Sequence, residues 1–116
     1  MIIQNIKDKI KYGKTRSPEW SSVRKKHIGL NPTCAVCGST KKVEVHHKKP
    51  FHLHPELELD PDNLISLCEG KEFSSVICHL TFGHLGNYQD VNPDIEATAK
   101  TMKTIFEIKK TTPAEI

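Results

Sequence analysis

The spacing of four cysteines constrains this chain more than any other feature: Cys34-x2-Cys37, then thirty residues, then Cys68-x9-Cys78. A C-x2-C turn presents two thiolates to one ion, and a glycine behind it, here Gly38, relieves the backbone. The second pair is wider than usual, but a nine-residue loop can still close on the same ion. The expectation is one structural zinc on Cys34, Cys37, Cys68 and Cys78. A redox C-x-x-C would sit in a βαβ pattern, and none surrounds it. Composition makes the zinc useful. With 116 residues, 36% hydrophobic and 6% aromatic, the chain has a lean core for one small domain, and metal binding would supply the missing stability.

The opening Met1-Ile2-Ile3-Gln4-Asn5 does not read as a signal peptide, because Lys7 follows and no long apolar stretch comes after it. No apolar run approaches the roughly 18 residues of a membrane span. A cytoplasmic setting is therefore expected, with thiols rather than disulfides. Seventeen Lys and Arg against fourteen Asp and Glu give a net charge of +3. That permits nucleic acid as a partner without demanding it. The distribution is sharper than the sum. From Lys7 to Lys49 there are twelve Lys and Arg against three acids, whereas Pro50 to Pro93 holds one Lys and no Arg.

Residues 1–15 read as a basic N-terminal arm or helix: Ile3, Ile6 and Ile10 form one stripe, but a frayed arm fits equally well. A clearer helix follows, with Ser17 at the N-cap, Pro18 in the first turn, and Trp20, Val23, His27 and Leu30 as its apolar face. Asn31-Pro32 ends it. Residues 34–40 form a tight turn. Val43-Glu44-Val45 alternates like a strand and runs into His46-His47. Residues 50–62, with three prolines, read as an ordered loop, and Leu64 to Leu67 as a second strand. Glu69 to Ser75 reads as an insertion or turn, and Val76 to Leu85 as a short helix capped by Gly86. Asn92-Pro93-Asp94 opens a last helix with Ile95, Ala99, Met102, Ile105 or Phe106 on its stripe. Residues 111–116 read as a loose tail.

Adjacent histidines at a strand end point to opposite faces. One of the pair His46-His47 can ligate a metal while the other faces a substrate. Asn63 lies sixteen residues after His47, and His79 sixteen after Asn63. Cys78 and His79 are about 100° apart on a helix, so they can serve different ions.

Taken together, these stretches resemble the HNH endonucleases, small nucleases built on a ββα-metal (His-Me finger) unit, often with a four-cysteine zinc site. The matching stretches are Cys34-Ala35-Val36-Cys37-Gly38, Val45-His46-His47-Lys48-Lys49-Pro50, Asp62-Asn63-Leu64-Ile65-Ser66-Leu67-Cys68 and Cys78-His79. The lead-in Arg16-Ser17-Pro18-Glu19-Trp20 with Arg24 is similar to that of compact, free-standing members from bacteria and their phages. The implied fold is α+β, a single small domain with flanking helices and a structural zinc. Residues 16–92 would form the nuclease core with its zinc site, and residues 93–116 a C-terminal helix and tail. The resemblance implies His46 and His79 as ligands of a catalytic divalent ion, His47 as general base, and Asn63 as the residue that orients the base through the loop backbone. The implied reaction is hydrolysis of DNA phosphodiester bonds, by nicking or double-strand cleavage.

Some positions depart from the family pattern. His46 stands where Asp is common, so the ion would have two imidazole ligands. Nitrogen donors favour Mn²⁺, Co²⁺, Ni²⁺ or Zn²⁺ over Mg²⁺. Colicin-type members carry a third histidine four residues after the second ligand, and that position is Gly83 here. His84 is five residues on, about 140° around an α-helix, and is expected not to reach the ion. His27, His52, His54 and His84 therefore read as surface or capping residues, and Trp20 as core. Arg24, Lys25, Lys48 and Lys49 are candidates for contacting double-stranded DNA through its backbone. The protein is expected to be a monomer or weak dimer with no membrane partner. The rival reading is a catalytically silent, zinc-stapled DNA- or protein-binding module, which would not require His46, His47, Asn63 and His79 together. A zinc nucleobase deaminase would need H-x-E and then P-C-x-x-C. Neither His46 nor His47 has a Glu two residues on, and Thr33 precedes Cys34.

Overall fold

A computed structural model describes residues 16–70 and 76–111, with side chains through residue 108. The arm expected over residues 1–15, most of the turn over 69–75 and the tail at 112–116 lie outside the described residues.

Two short strands form the centre. β1 (Val43–His47) and β2 (Leu64–Cys68) pair antiparallel, with Val43 opposite Cys68, His46 opposite Ile65 and His47 opposite Leu64. β2 is buried along its whole length. Its Leu-Ile-Ser-Leu-Cys sequence suits that position, because a strand covered on both faces needs no polar alternation. Its serine is satisfied: Ser66 Oγ donates to the Asn31 carbonyl at 2.7 Å.

α1 (Trp20–Leu30) packs across the strands, and α2 (Ile95–Thr111) packs on the turn over residues 79–83. α1 starts later than expected. Glu19, not Ser17, is the N-cap, although Ser17 Oγ accepts the Glu19 N–H at 3.1 Å and Ser17 O accepts the Trp20 N–H. No residue of α1 is fully buried, and Leu30 is 72% exposed, so the expected apolar stripe stops short of the helix end. α2 follows its expected stripe more closely. Ile95 and Ala99 are buried, with Met102 and Phe106 against the core, while Ile105 faces outward. Asn92 opens α2 by accepting the Asp94 N–H at 2.9 Å and donating to Phe82 O and Thr98 Oγ1, each at 3.0 Å.

The core is built on the cysteines. Cys34, Cys37, Cys68 and Cys78 cluster with Val36, Ile65, Leu67, Ile95 and Ala99. A fully buried leucine such as Leu67 contributes about 1.5–3 kcal/mol, and such residues are few among those described.

The main departure from expectation lies between Val76 and Leu85. The segment is not a regular α-helix: His79–Gly83 forms a single π-helical turn. Its i→i+5 bond runs from His84 N to His79 O at 3.1 Å. Gly86, at φ 86°, closes it as expected, with Leu85 also left-handed at φ 55°. Among the described residues, no helix is long and apolar enough to cross a membrane.

Candidate metal centres and the histidine cleft

The four cysteine sulfurs lie within 4.8 Å of one another, and all four residues are buried. Cys37 Sγ and Cys68 Sγ are 3.7 Å apart. A tetrahedron of thiolates at the usual zinc–sulfur distance of about 2.3 Å has edges of about 3.8 Å, so the cluster fits one such ion. The two distant pairs meet because β2 delivers Cys68 to the C-x2-C turn, where Ala35 N donates to Ser66 O at 2.8 Å. Without a cation the four thiols could not ionise together. The Cys78 thiol hydrogen-bonds Cys34 and holds it down to about 4, while the same bond drives Cys78 up and burial drives Cys68 up to about 11.

A second group forms at the sheet end. His46, on one face of β1, meets His79 and His84 from the π-turn, and their ligand atoms lie within 4.8 Å of one another. His79 Nε2 is 3.0 Å from His46 Nδ1 and 3.1 Å from His84 Nε2. Those separations suit nitrogens about 2 Å from a shared ion. Burial pushes His46 down to about 3, helped by His79 and His84, and burial also lowers His84. Both shifts favour the neutral ring, the form that ligates metal. The rings are also oriented from behind. Asp90 O lies 2.7 Å from His84 Nδ1, and a Glu69 carboxylate oxygen lies against His79 Nδ1. Burial opposes the Glu69 charge, but bonds from Tyr88 and His79 outweigh it and lower its pKa.

The exclusion of His84 is therefore corrected. A separation of about 140° holds only for an α-helix. In a π-turn, residues five apart are joined by a hydrogen bond, and here this brings the two rings to one side of the turn. Gly83 explains why that position holds no side chain. A Cβ there would lie 3.1 Å from Leu67 Cδ1 and 3.2 Å from His46 Cε1. No spacing rule marks a π-turn, but the paired signals Gly83 and His84 after His79 were the available clue.

His47 points the other way from His46. Its Nε2 lies 2.9 Å from the Glu58 carbonyl oxygen, and its ring sits 4.5 Å from the Trp20 ring, centre to centre. Trp20, expected in the core, is instead half-buried against this histidine. Burial lowers the His47 pKa, the Arg16 charge adds to this, and the Glu58 bond opposes it. Glu58 itself is buried, and its carboxylate accepts the Ser17 N–H at 3.1 Å and lies 3.9 Å from Arg16 Nη1. The lead-in to α1 is thus tied to the loop that supports His47, and neither Glu58 nor Arg16 stood out in the sequence for this.

Asn63 is buried between both ends of that loop. Its Oδ1 accepts the Lys49 N–H at 2.8 Å, and its Nδ2 donates to Lys49 O at 3.1 Å and Leu57 O at 3.2 Å. The Asn63 carbonyl accepts the Lys48 N–H at 2.7 Å. Both donors and the carbonyl oxygen of this amide bond locally, so it shapes the loop.

His46, His47, His79 and His84 open into one cleft of about 860 Å³, rimmed by Arg16 and Tyr88. The basic candidates are placed less uniformly. Arg24 pairs with Glu44 at 3.2 Å and Lys48 with Glu96 at 2.9 Å, while Lys25 and Lys49 are exposed. His52 is exposed and His54 lies 3.4 Å from Glu56. His27 departs from a surface reading, because its Nε2 is buried beside a small cavity.

A two-stranded sheet with helices and a four-cysteine cluster defines a small α+β domain that fits the ββα-metal architecture. Residues 34–70 match the family model described as HNH endonuclease. The match bears out the motif resemblance over the stretch from the C-x2-C turn through His46, His47 and Asn63 to Cys68. No curated protein and no solved structure matches the chain at a significant level.

Proposed function

We propose that this protein is a metal-dependent endonuclease that hydrolyses DNA phosphodiester bonds, with His47 as general base. The observation that carries this reading is one cleft lined by two chemically distinct sets: three convergent imidazoles, and a separate histidine tethered to a backbone carbonyl. A binding module needs neither.

Hydrolysis requires an activated water and relief of charge at phosphorus. With Nε2–H donating to Glu58 O, the His47 tautomer leaves Nδ1 with a lone pair to take the proton. Asn63 holds the loop that places the Glu58 carbonyl, so it acts through His47 and not on substrate. Trp20 covers one side of the His47 ring and restricts its rotation. His46, His79 and His84 would hold a divalent ion, which when bound supplies positive charge to the scissile phosphate and the leaving 3′ oxygen. Three nitrogen donors favour Mn²⁺, Co²⁺, Ni²⁺ or Zn²⁺ over Mg²⁺. A structural Zn²⁺ on the four cysteines holds the fold. Arg16, Lys25 and Lys49 would meet the backbone of double-stranded DNA, giving weak sequence preference and steep salt dependence.

The test is nicking of supercoiled plasmid by metal-stripped protein resupplied with Mg²⁺, Mn²⁺, Co²⁺, Ni²⁺ or Zn²⁺, beside His47→Ala. Metal-dependent nicking, lost in His47→Ala at unchanged zinc content, supports the reading. Equal inertness of both proteins, with DNA still shifted in a gel, replaces it with the binding-module reading.

A further inference from the structure

We propose that Glu69 and Tyr88 form a positioning pair that fixes His79 for metal binding and so sets the affinity of the histidine site. This rests on the metal-site reading above. Glu69 lies against His79 Nδ1 through one carboxylate oxygen and accepts the Tyr88 hydroxyl at 2.6 Å through the other. His79 Nε2 is the atom that faces His46 and His84. A proton held on Nδ1 by a carboxylate leaves the Nε2 lone pair free for a cation and raises its basicity. The Tyr88 ring also packs edge-on to His79 at 5.8 Å and lies 5.1 Å from His84, so it braces both rings.

The carboxylate is held in place from its own backbone. Glu69 N donates to Lys42 O at 2.7 Å, and the preceding residue is Cys68 of the sulfur cluster. His79 likewise follows Cys78. Two dipeptides, Cys68-Glu69 and Cys78-His79, thus each give one residue to the sulfur site and one to the histidine site. Ordering the sulfurs orders the Glu69–His79 contact.

The experiment is a Co²⁺ titration of zinc-loaded protein, read by visible d–d absorption without a sulfur charge-transfer band. Parent, Glu69→Gln, Glu69→Ala and Tyr88→Phe are compared, with plasmid nicking measured beside it. Glu69→Ala is expected to weaken Co²⁺ binding about 10–100-fold, the usual cost of losing an outer-shell partner. Glu69→Gln, which keeps the shape and an acceptor oxygen, should fall between it and the parent, and Tyr88→Phe should shift less in the same direction. Nicking should recover in all three at saturating metal. Titrations within twofold of the parent overturn the positioning role, including the case where Glu69→Ala only lowers the melting temperature. A parent that takes up no Co²⁺ outside the sulfur site overturns the histidine metal site itself, and this proposal with it.

Discussion

His79 Nε2 and His84 Nε2 stand 3.1 Å apart, five positions apart in the chain. The π-turn that joins them inserts one residue into what would otherwise be an i, i+4 pair. It brings a third imidazole to the site and seats Gly83 against the His46 ring. His84→Ala should therefore weaken divalent-ion affinity by at least about 100-fold, more than an outer-shell change, while zinc content stays the same. A metal titration of nicking that overlays the parent curve would remove His84 from the site.

Gly83→Ala tests the same packing from the other side. The added methyl meets Leu67 Cδ1 at 3.1 Å and His46 at 3.2 Å. Such overpacking costs about 1–3 kcal/mol. A fall of that size by denaturant unfolding, together with weaker metal uptake, is expected. Uptake equal to the parent's would show that His46 is not displaced.

The pH profile follows from the surroundings of His47. Burial and the Arg16 charge lower its pKa below the ordinary 6.5, against the opposing Glu58 bond. A general base acts in its neutral form, present above its pKa. Activity at saturating metal should thus hold down to below pH 6.5 and fall as pH drops further. Arg16→Ala should move that limb upward. A parent limb above 6.5 would contradict the assignment.

Asn63→Asp separates loop shape from gross stability. The acceptor for Lys49 N–H survives, but a carboxylate oxygen replaces the donor to Lys49 O and Leu57 O. Loss of two part-buried bonds, with Lys49 O left without this donor while Leu57 O keeps the Asp60 N–H, costs about 2–4 kcal/mol. The expected outcome is a lower melting temperature and, at temperatures where the protein is still folded, a fall in kcat with little change in metal affinity. Unchanged kcat would make Asn63 a turn residue alone.

The cysteine cluster occupies the core, so its ion should govern folding. Elemental analysis is expected to find about one zinc in that site, and Cys37→Ser or strong chelation should abolish cooperative thermal unfolding, since a structural zinc contributes on the order of 10 kcal/mol. A melt that survives chelation unchanged would assign the core's stability to packing.

Much of this protein was legible in its sequence, where the signal is local. The C-x2-C turn, the alternation of Val43 to His47, the apolar run of β2 and the Asn92-Pro93-Asp94 helix start each depend on residues a few positions apart, and each element forms where expected. The grouping of four cysteines followed from ligand chemistry, which leaves few alternatives to a shared ion. What the chain could not disclose locally was decided by packing. His84 joins His46 and His79 because a π-turn, and not an α-helix, fits Gly83 between Leu67 and His46. Trp20 turns to His47 because α1 lies across β1. Glu58 and Glu69 gain their contacts from residues 41 and 10 positions away. Hydrogen-bond period and side-chain direction are set by neighbours distant in sequence, so spacing alone reads them as an ordinary helix and an ordinary loop.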